Sequence, residues 1–448
     1  MRRLALMLGL VAALAHTGAA QQQADVSPDE ARILAARLLT SGQPKAALDL
    51  TSVLIARNPE DGPSLIVHAQ ALRSLAQYGP AQKAARRAWG ASTHPLDLYA
   101  AALAMAQSLS ADGKKTRAQF WLRRAAHVAP NERLKARAAR DYGYLRRTNP
   151  WSVNLSFGIT PSDNVNNAPR DNTWVLLGVP LTDPAAVPLS GFEIRTDVNL
   201  RYNFNENANL RHFVSMLWTE SQIVFTDDNV PAGVEESTFA YRKLEATLGR
   251  DFIAGPGKPR QTVSLTLGQI WTGGSTLGNE IRLDWREVHL RPGGKRFAWD
   301  ASLGYTKRHD NDIRSGVEAT LGGQWSRPLE NGGRLGWQTE VARNDTDSRA
   351  LTHTRLNFGV QYTHPERIMG AIAQVGLQGE VRQYDDPLYG PQARRDTRAT
   401  LTTSLLFVDF DTYGFAPKVT FEASRTESNV TRFETQNLGL QIGFQSLF

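Results

Sequence analysis

The chain has 448 residues, no cysteine, a formal net charge of +7 and a mean hydropathy of −0.37. Its length exceeds one ordinary core and predicts two or more domains. The missing thiols exclude disulfides and thiolate chemistry and leave the redox compartment open.

The first element is a secretory signal over residues 1–20. Arg2 and Arg3 form its charged start, Leu4 to Leu14 its apolar stretch, and Gly18-Ala19-Ala20 a small-residue cleavage site before Gln21. No cysteine follows the apolar stretch, so the protein is not expected to be a lipoprotein itself. No later apolar run approaches the roughly 20 residues of a membrane helix. Charge then divides the remainder. Residues 21–148 hold 19 Lys/Arg against 10 Asp/Glu, and residues 149–448 hold 30 against 34. A basic part followed by a slightly acidic one predicts two domains with different surroundings. Export excludes nucleic acid as the partner of the basic part.

Residues 25–148 read as a helical domain, rich in Ala, Leu, Arg and Gln. Ser41-Gly42-Gln43-Pro44, Tyr78-Gly79-Pro80 and Asp112-Gly113-Lys114 separate helices. The pairs end near Asn58-Pro59, Ser92-Thr93-His94-Pro95 and Ala129-Pro130. This spacing predicts helix–turn–helix units of a tetratricopeptide-like solenoid. Ala36, Ala47, Ala71, Ala84, Ala106 and Ala118 are expected where paired helices approach closely, and Trp89 and Trp121 are expected in the core. Such an array presents a concave face, which either engages peptides or serves as a spacer. Arg86, Arg87, Arg123 and Arg124 are the candidate client-facing basic residues; the alternative is a solvated surface.

After Asn149-Pro150 the apolar period changes from 3.6 to 2. Trp151, Val153, Leu155 and Phe157 alternate with small polar residues, and Phe297, Trp299, Ala301 and Leu303 do the same. About fourteen such segments follow, many of ten residues or more, long enough to cross a bilayer when tilted. Aromatics such as Trp151, Trp218, Trp271 and Tyr362 fall at strand ends, as in an interfacial girdle, while Arg195, Asp197 and Arg201 occupy the other face, as in a wet lumen. The fold class is therefore α + β in separate domains: a helical solenoid, then an antiparallel transmembrane β-barrel over residues 149–448. Short turns are expected at Glu206-Asn207, Pro292 to Lys295, His364-Pro365-Glu366 and Asp409-Phe410-Asp411. Longer loops are expected at 160–191, 226–236, 273–279, 344–351 and 385–395. With the helices in the periplasm of a Gram-negative bacterium, the longer loops face outside. The last strand alternates through Phe444 to a terminal Phe448, like the sorting signal read by the barrel-assembly machinery.

Chemistry-bearing patterns are sparse. The nine His form no His-Glu-x-x-His pair or ligand-like cluster, and Gly255-Pro256-Gly257-Lys258 lacks the upstream Gly of a phosphate loop. Gly273 to Gly278 misses the nucleophile-elbow spacing by one residue. The paired acids Asp227-Asp228, Asp310/Asp312, Asp345/Asp347 and Asp385-Asp386 read as hydrated loop tips, or as a divalent-ion contact with lipopolysaccharide. The expectation is a protein with no enzymatic activity, catalytic residue, cofactor or metal.

The segment "NPWSVNLSFGITPSDNVNNA" (149–168), with Asp163, Asn164, Asn166 and Asn167 in its polar loop, resembles the start of the barrel in the surface lipoprotein assembly modifier (Slam) family. "RRDTRATL" (394–401), "GFAPKVTFEASRTESNV" (414–430) and the final strand resemble that barrel's end. The resemblance implies a signal, a tetratricopeptide domain and a fourteen-stranded barrel. It also implies an outer-membrane translocon for a surface lipoprotein or a secreted haem- or metal-acquisition client. Periplasmic chaperones, the barrel-assembly machinery and outer-membrane lipid would be its other partners. Exopolysaccharide export is the alternative, and a passive porin-like channel the third reading.

Overall fold

A computed structural model describes residues 26–446, apart from 177, 178, 206, 208 and 256. The signal and Phe448 lie outside the described residues. The chain forms two compact units, one ending at Ala111 and one running from Asp112.

The first unit holds α1 (Pro28–Thr40), α2 (Pro44–Arg57), α3 (Gly62–Ser74), α4 (Tyr78–Ala91) and α5 (Pro95–Ala111). The equivalent helices α1, α3 and α5 start at residues 28, 62 and 95, the tetratricopeptide-like period. Ser27 and Glu30 close a reciprocal capping box on α1, satisfying backbone donors that the first turn leaves unpaired. Gly42 makes the α1–α2 turn at φ +76°. Tyr78-Gly79-Pro80 is the first turn of α4 rather than a connection, because Pro80 occupies a position whose N–H has no intrahelical partner. The break falls instead at Ala76, with φ +58°. Ala47, Ala71, Ala84 and Ala106 are buried as expected, but in α1 the close contact is Ala35, not Ala36. Ala35 lies one turn from buried Ala31, and Ala36 faces water. Trp89 packs against Leu65, Ile66, Ala88 and Ala101.

The second unit begins with α6 (Lys115–His127) and α7 (Glu132–Thr148), in which Ala118 and Trp121 are buried. Asn149 ties these helices to the first strand. Its Nδ2 donates to Thr116 at 3.0 Å, and its Oδ1 accepts from the Trp151 amide at 3.2 Å.

Fourteen antiparallel strands then close into a barrel. They are β1 (Trp151–Ser162), β4 (Gly191–Asn205), β5 (Leu210–Phe225), β6 (Tyr241–Ile253), β7 (Arg260–Thr272), β8 (Ser275–Arg291), β9 (Lys295–Arg308), β10 (Gly316–Pro328), β11 (Arg334–Thr346), β12 (His353–Ile368), β13 (Ala371–Tyr384), β14 (Arg395–Leu406), β15 (Phe415–Ser428) and β16 (Thr435–Ser446). The loop after β1 contains a small hairpin, β2 (Thr173–Leu176) and β3 (Val179–Thr182). No described helix is long and apolar enough to cross a membrane, but the strands are long enough to do so.

The alternation determines the two faces. Leu303 pairs with Leu283 and Ala319 on the outside, and stands 56% exposed. Leu321, also outward, is 58% exposed. A continuous apolar belt of this kind is stable in lipid and not in water. Ser302, one residue away, points inward and bonds Thr320 at 2.7 Å. Aromatic pairs rim the belt. Trp151–Tyr202 (4.9 Å between centroids) and Trp325–Trp337 (3.8 Å) lie toward the α7 end, and Trp218–Trp271 (6.2 Å) toward the other.

Two connections differ from expectation. The 273–279 segment is no loop: Gly273 and Gly274, at φ +57° and +78°, turn β7 straight into β8. His364-Pro365-Glu366 is no turn, for β12 continues through it with a register shift between Thr363 and Arg367. Pro365 has no N–H for the ladder and is absorbed in that irregularity. The chain reverses at Met369-Gly370 instead.

Candidate functional site

The barrel lumen has one strongly charged wall. Lys243 on β6 bonds Glu245 and, across the sheet, Glu280 on β8, each at 3.0 Å. Arg282 closes the group against Glu280, Glu245 (3.4 Å) and Asp284 (2.9 Å). Nearer the α7 end, Arg201 on β4 meets Asp251 on β6 at 2.7 Å and lies 3.5 Å over the ring of Phe213. That ring fills the space above Gly249, where a Cβ would stand 2.1 Å from it. On the far side Arg355 pairs with Glu340 at 3.2 Å. Pairing of this density lets charges line a narrow interior without isolated ions. Sequence reading identified Arg195, Asp197 and Arg201 as inward but not this network, although the signal was present in the alternating charges of β6 and β8.

A second stretch is rich in amides. A recess of about 350 Å³ along β9–β14 is lined by Gln324, Gln338, Gln361 and Gln378, with Gly336, Gly359 and Gly376 between them and Arg296 at its edge. β16 and β1 also turn neutral side chains inward, Asn437, Gln441 and Gln445 on one and Ser152, Asn154 and Ser156 on the other.

The junction of β1 and β16 is unlike every other. β1 pairs with β4 continuously from Trp151–Tyr202 to Ser162–Gly191. Against β16, among the described residues, it pairs only at Gly158–Gly443, Ile159–Ile442 and Ser162–Gly439. Pro161 falls in the gap and offers no N–H.

The Asn-rich loop sits over one end of this junction. Asp163 Oδ1 accepts from the Leu438 amide at 2.8 Å, and the Asp163 amide donates to Leu438 O at 3.3 Å. Asn164, 3% exposed, donates to Ala168 O (2.9 Å) and Gln436 O (3.2 Å) and accepts from the Ala168 amide (2.8 Å). Asn167, at φ +49°, accepts from Asn437 Nδ2 at 3.2 Å. Asn166 holds the return of the same loop, donating to Val187 O and accepting from the Leu189 amide. The structure thus brings Asp163, Asn164 and Asn167 together on β16, about 270 residues away in sequence.

The other predicted residues separate. Phe444 faces outward in β16, opposite Pro417, and is 57% exposed. Arg86 and Arg87 are exposed on α4, with Arg87 donating to Pro59 O at 2.7 Å. Arg123 and Arg124 are half-buried in the other unit. Arg123 donates to the Tyr142 hydroxyl at 2.9 Å and covers the Phe415 ring at 4.4 Å; Arg124 covers Phe120 and Trp121. His127 against Tyr413 (4.6 Å) and Lys135 with Asp411 (3.4 Å) complete the contact of α6–α7 with the β14–β15 turn. Two of the four acid pairs hold cations of the chain itself. Asp310 accepts from Arg308 (2.8 Å) and Arg314 (3.0 Å), Asp312 from Lys307 (2.8 Å), and Asp385 from Arg343 (2.5 Å). Beside the Arg308 guanidinium the Asp310 carboxyl falls from 3.8 to about 2. Among the described residues no cluster of His, Asp and Glu could hold a metal.

Fold and lumen together define an outer-membrane β-barrel protein with a tetratricopeptide-like helical N-terminal part. The model of the surface lipoprotein assembly modifier family matches residues 304–447, from within β9 through β16. No curated protein matches the chain. The helices are similar to those of the Yersinia enterocolitica type III secretion translocator chaperone SycD (16% identity, 28% of this chain and 88% of that one, TM-score 0.25). The barrel is similar to a BenF-like porin from Pseudomonas fluorescens (7% identity, 66% and 99%, TM-score 0.35) and to Acinetobacter baumannii OccAB3 (9%, 66% and 98%, TM-score 0.37). Similarity at this level carries no functional argument, and the fold rests on the chain's own hydrogen-bond ladder.

Proposed function

We propose that the protein is a non-enzymatic outer-membrane translocon that delivers a lipoprotein, or a secreted haem- or metal-acquisition protein, to the cell surface. The observation that carries this reading is the match of the family's model to the strands that build the second half of the barrel. The polar lumen supports it, since many of its charges are held in ion pairs such as Lys243–Glu280 and Arg201–Asp251 and its remaining side chains include many amides and hydroxyls. In this reading the helices over 25–148 and the short turns lie in the periplasm, and the long loops outside. The helices engage the client or its chaperone, with Arg86 and Arg87 on the exposed surface. Arg123 instead steadies α6 and α7 on the barrel. Phe448 is the signal that the barrel-assembly machinery reads, and deleting it lowers membrane assembly.

The test is a surface inventory. Lipoproteins labelled with an alkyne fatty acid are shaved from intact cells by protease, in wild type and in a strain lacking this gene. At least one labelled or released protein should become inaccessible in the deletion strain while remaining at normal total abundance. An unchanged inventory refutes the reading. Loss of a surface polysaccharide with an unchanged protein inventory replaces it with glycan export.

A further inference from the structure

Thirteen of the fourteen strand neighbours are consecutive barrel strands joined by a turn or loop; β1 and β16 are joined only by hydrogen bonds and side chains. Parting any other pair strains a covalent connection. Parting this one breaks only the ladder, and the ladder is short: Gly158–Gly443, Ile159–Ile442 and Ser162–Gly439 among the described residues. In the apolar bilayer every unpaired backbone group is costly, so a partial ladder there marks a place that receives other partners. A free strand edge does so most readily with an extended peptide, which completes the sheet.

Three further features belong to the same junction. Gly158 and Gly443 face each other on the luminal side, so that pair contributes no side chains of its own, and a Cβ at Gly443 would stand 2.7 Å from Phe157 O. The inward side chains of the two seam strands themselves are neutral, Asn154 and Ser156 on β1 and Gln441 and Gln445 on β16, while the next strands place Arg195 opposite Gly158 and Lys418 opposite Gly443. The neutral groups can exchange hydrogen bonds with a passing main chain and leave no ion behind. Elsewhere in the barrel Lys243–Glu280 and Arg201–Asp251 cross-link strands that are not even neighbours, β6 to β8 and β4 to β6. Finally, the loop end of the junction is fastened by side chains among the described residues. Asp163, Asn164 and Asn167 bond β16 there, and Arg170 reaches Glu434 at 2.9 Å.

We infer that the β1–β16 seam is a lateral exit, through which an extended polypeptide segment of the client passes from lumen to bilayer along the edge of β1, with the Asp163–Asn167 loop as its clasp. This rests on the translocon reading. The seam parts from the α7 end and pivots about the clasp, and the passing segment takes the hydrogen bonds that β16 leaves unmade.

A disulfide lock tests it, and a chain without cysteine makes the bridge unambiguous. Ile159 and Ile442 are directly opposed. Such pairs stand about 4.5–5.5 Å apart between Cα atoms, within disulfide reach. Ile159→Cys with Ile442→Cys should bring shaved, alkyne-labelled lipoproteins to the deletion level under oxidation and return them to wild type with reductant. The control pair Leu200→Cys and Met216→Cys, opposed across β4–β5, should display at the wild-type level in both states. Full display from the oxidised seam lock overturns the exit. If deletion of the gene itself changes nothing, the translocon reading fails instead. Amide exchange of the wild-type protein in lipid decides the seam independently of any client. Leu155 to Phe157 should exchange at least tenfold faster than Ala319 to Leu321 in β10, and equal protection refutes the weak seam.

Discussion

Exchanging Leu303 for arginine puts the assignment of the barrel's two faces to a quantitative test. Leu303 lies in the outward row of β9 between Leu283 and Ala319, near the middle of the belt, and is 56% exposed. An arginine there meets hydrocarbon, which costs about 2–4 kcal/mol at the bilayer midplane. Ser302 is its neighbour in sequence and its opposite in direction: it faces the lumen, directly across from Asp284. An arginine at 302 loses one bond to Thr320, worth about 1 kcal/mol net, and gains an acidic neighbour in water. Leu303→Arg should therefore lower the urea-unfolding free energy in lipid vesicles by about 2–4 kcal/mol, and Ser302→Arg by about 1 kcal/mol or less. The assay follows the shift between heated and unheated bands on a gel, since folded barrels resist SDS. Equal losses in the two variants would mean that neither face contacts lipid, and the membrane-spanning barrel would fall with that result.

Asn164→Ala strips the clasp of its buried amide and leaves Gln436 O and the Ala168 amide and carbonyl without that partner. At about 1–3 kcal/mol for such a loss, amide exchange at Gln436 to Leu438 should rise at least fivefold, and unchanged protection would dismiss the clasp. Arg308 and Arg314 hold the Asp310 carboxyl at about 2, below its usual 3.8. The charged form is the one favoured in the fold, so its contribution is complete above about pH 4 and vanishes as pH falls through 2. Wild type and Asp310→Asn should differ in melting temperature at pH 5 and converge toward pH 2; a constant difference would refute the pairing. Arg86→Glu with Arg87→Glu should lower client capture at 0.05 M salt and matter less at 0.5 M, because these exposed charges act through a screened field. Loss that is independent of salt would indicate misfolding rather than steering.

Periodicity is a property of neighbouring residues, and what depends on it was legible in the chain. The change from period 3.6 to period 2 at Asn149-Pro150, the helix pairs, the fourteen barrel strands and the inward direction of Arg201 all follow from alternation and turn chemistry alone. Ala36 marks how fine that resolution is: one position off on α1, because several alanines satisfy the same pattern and only packing selects Ala35. Asp163, Asn164 and Asn167 stood out as a motif, yet nothing local says that they fasten β16. Their partners at Gln436, Asn437 and Leu438 lie at the far end of the chain. The same holds for the Lys243–Glu280 and Arg282–Glu245 bridges, which the curvature of the sheet brings together across an intervening strand. It holds most of all for the seam. Alternation tells each strand which face is wet, but how far β1 and β16 pair is decided only when the barrel closes, through a register that no turn between them imposes.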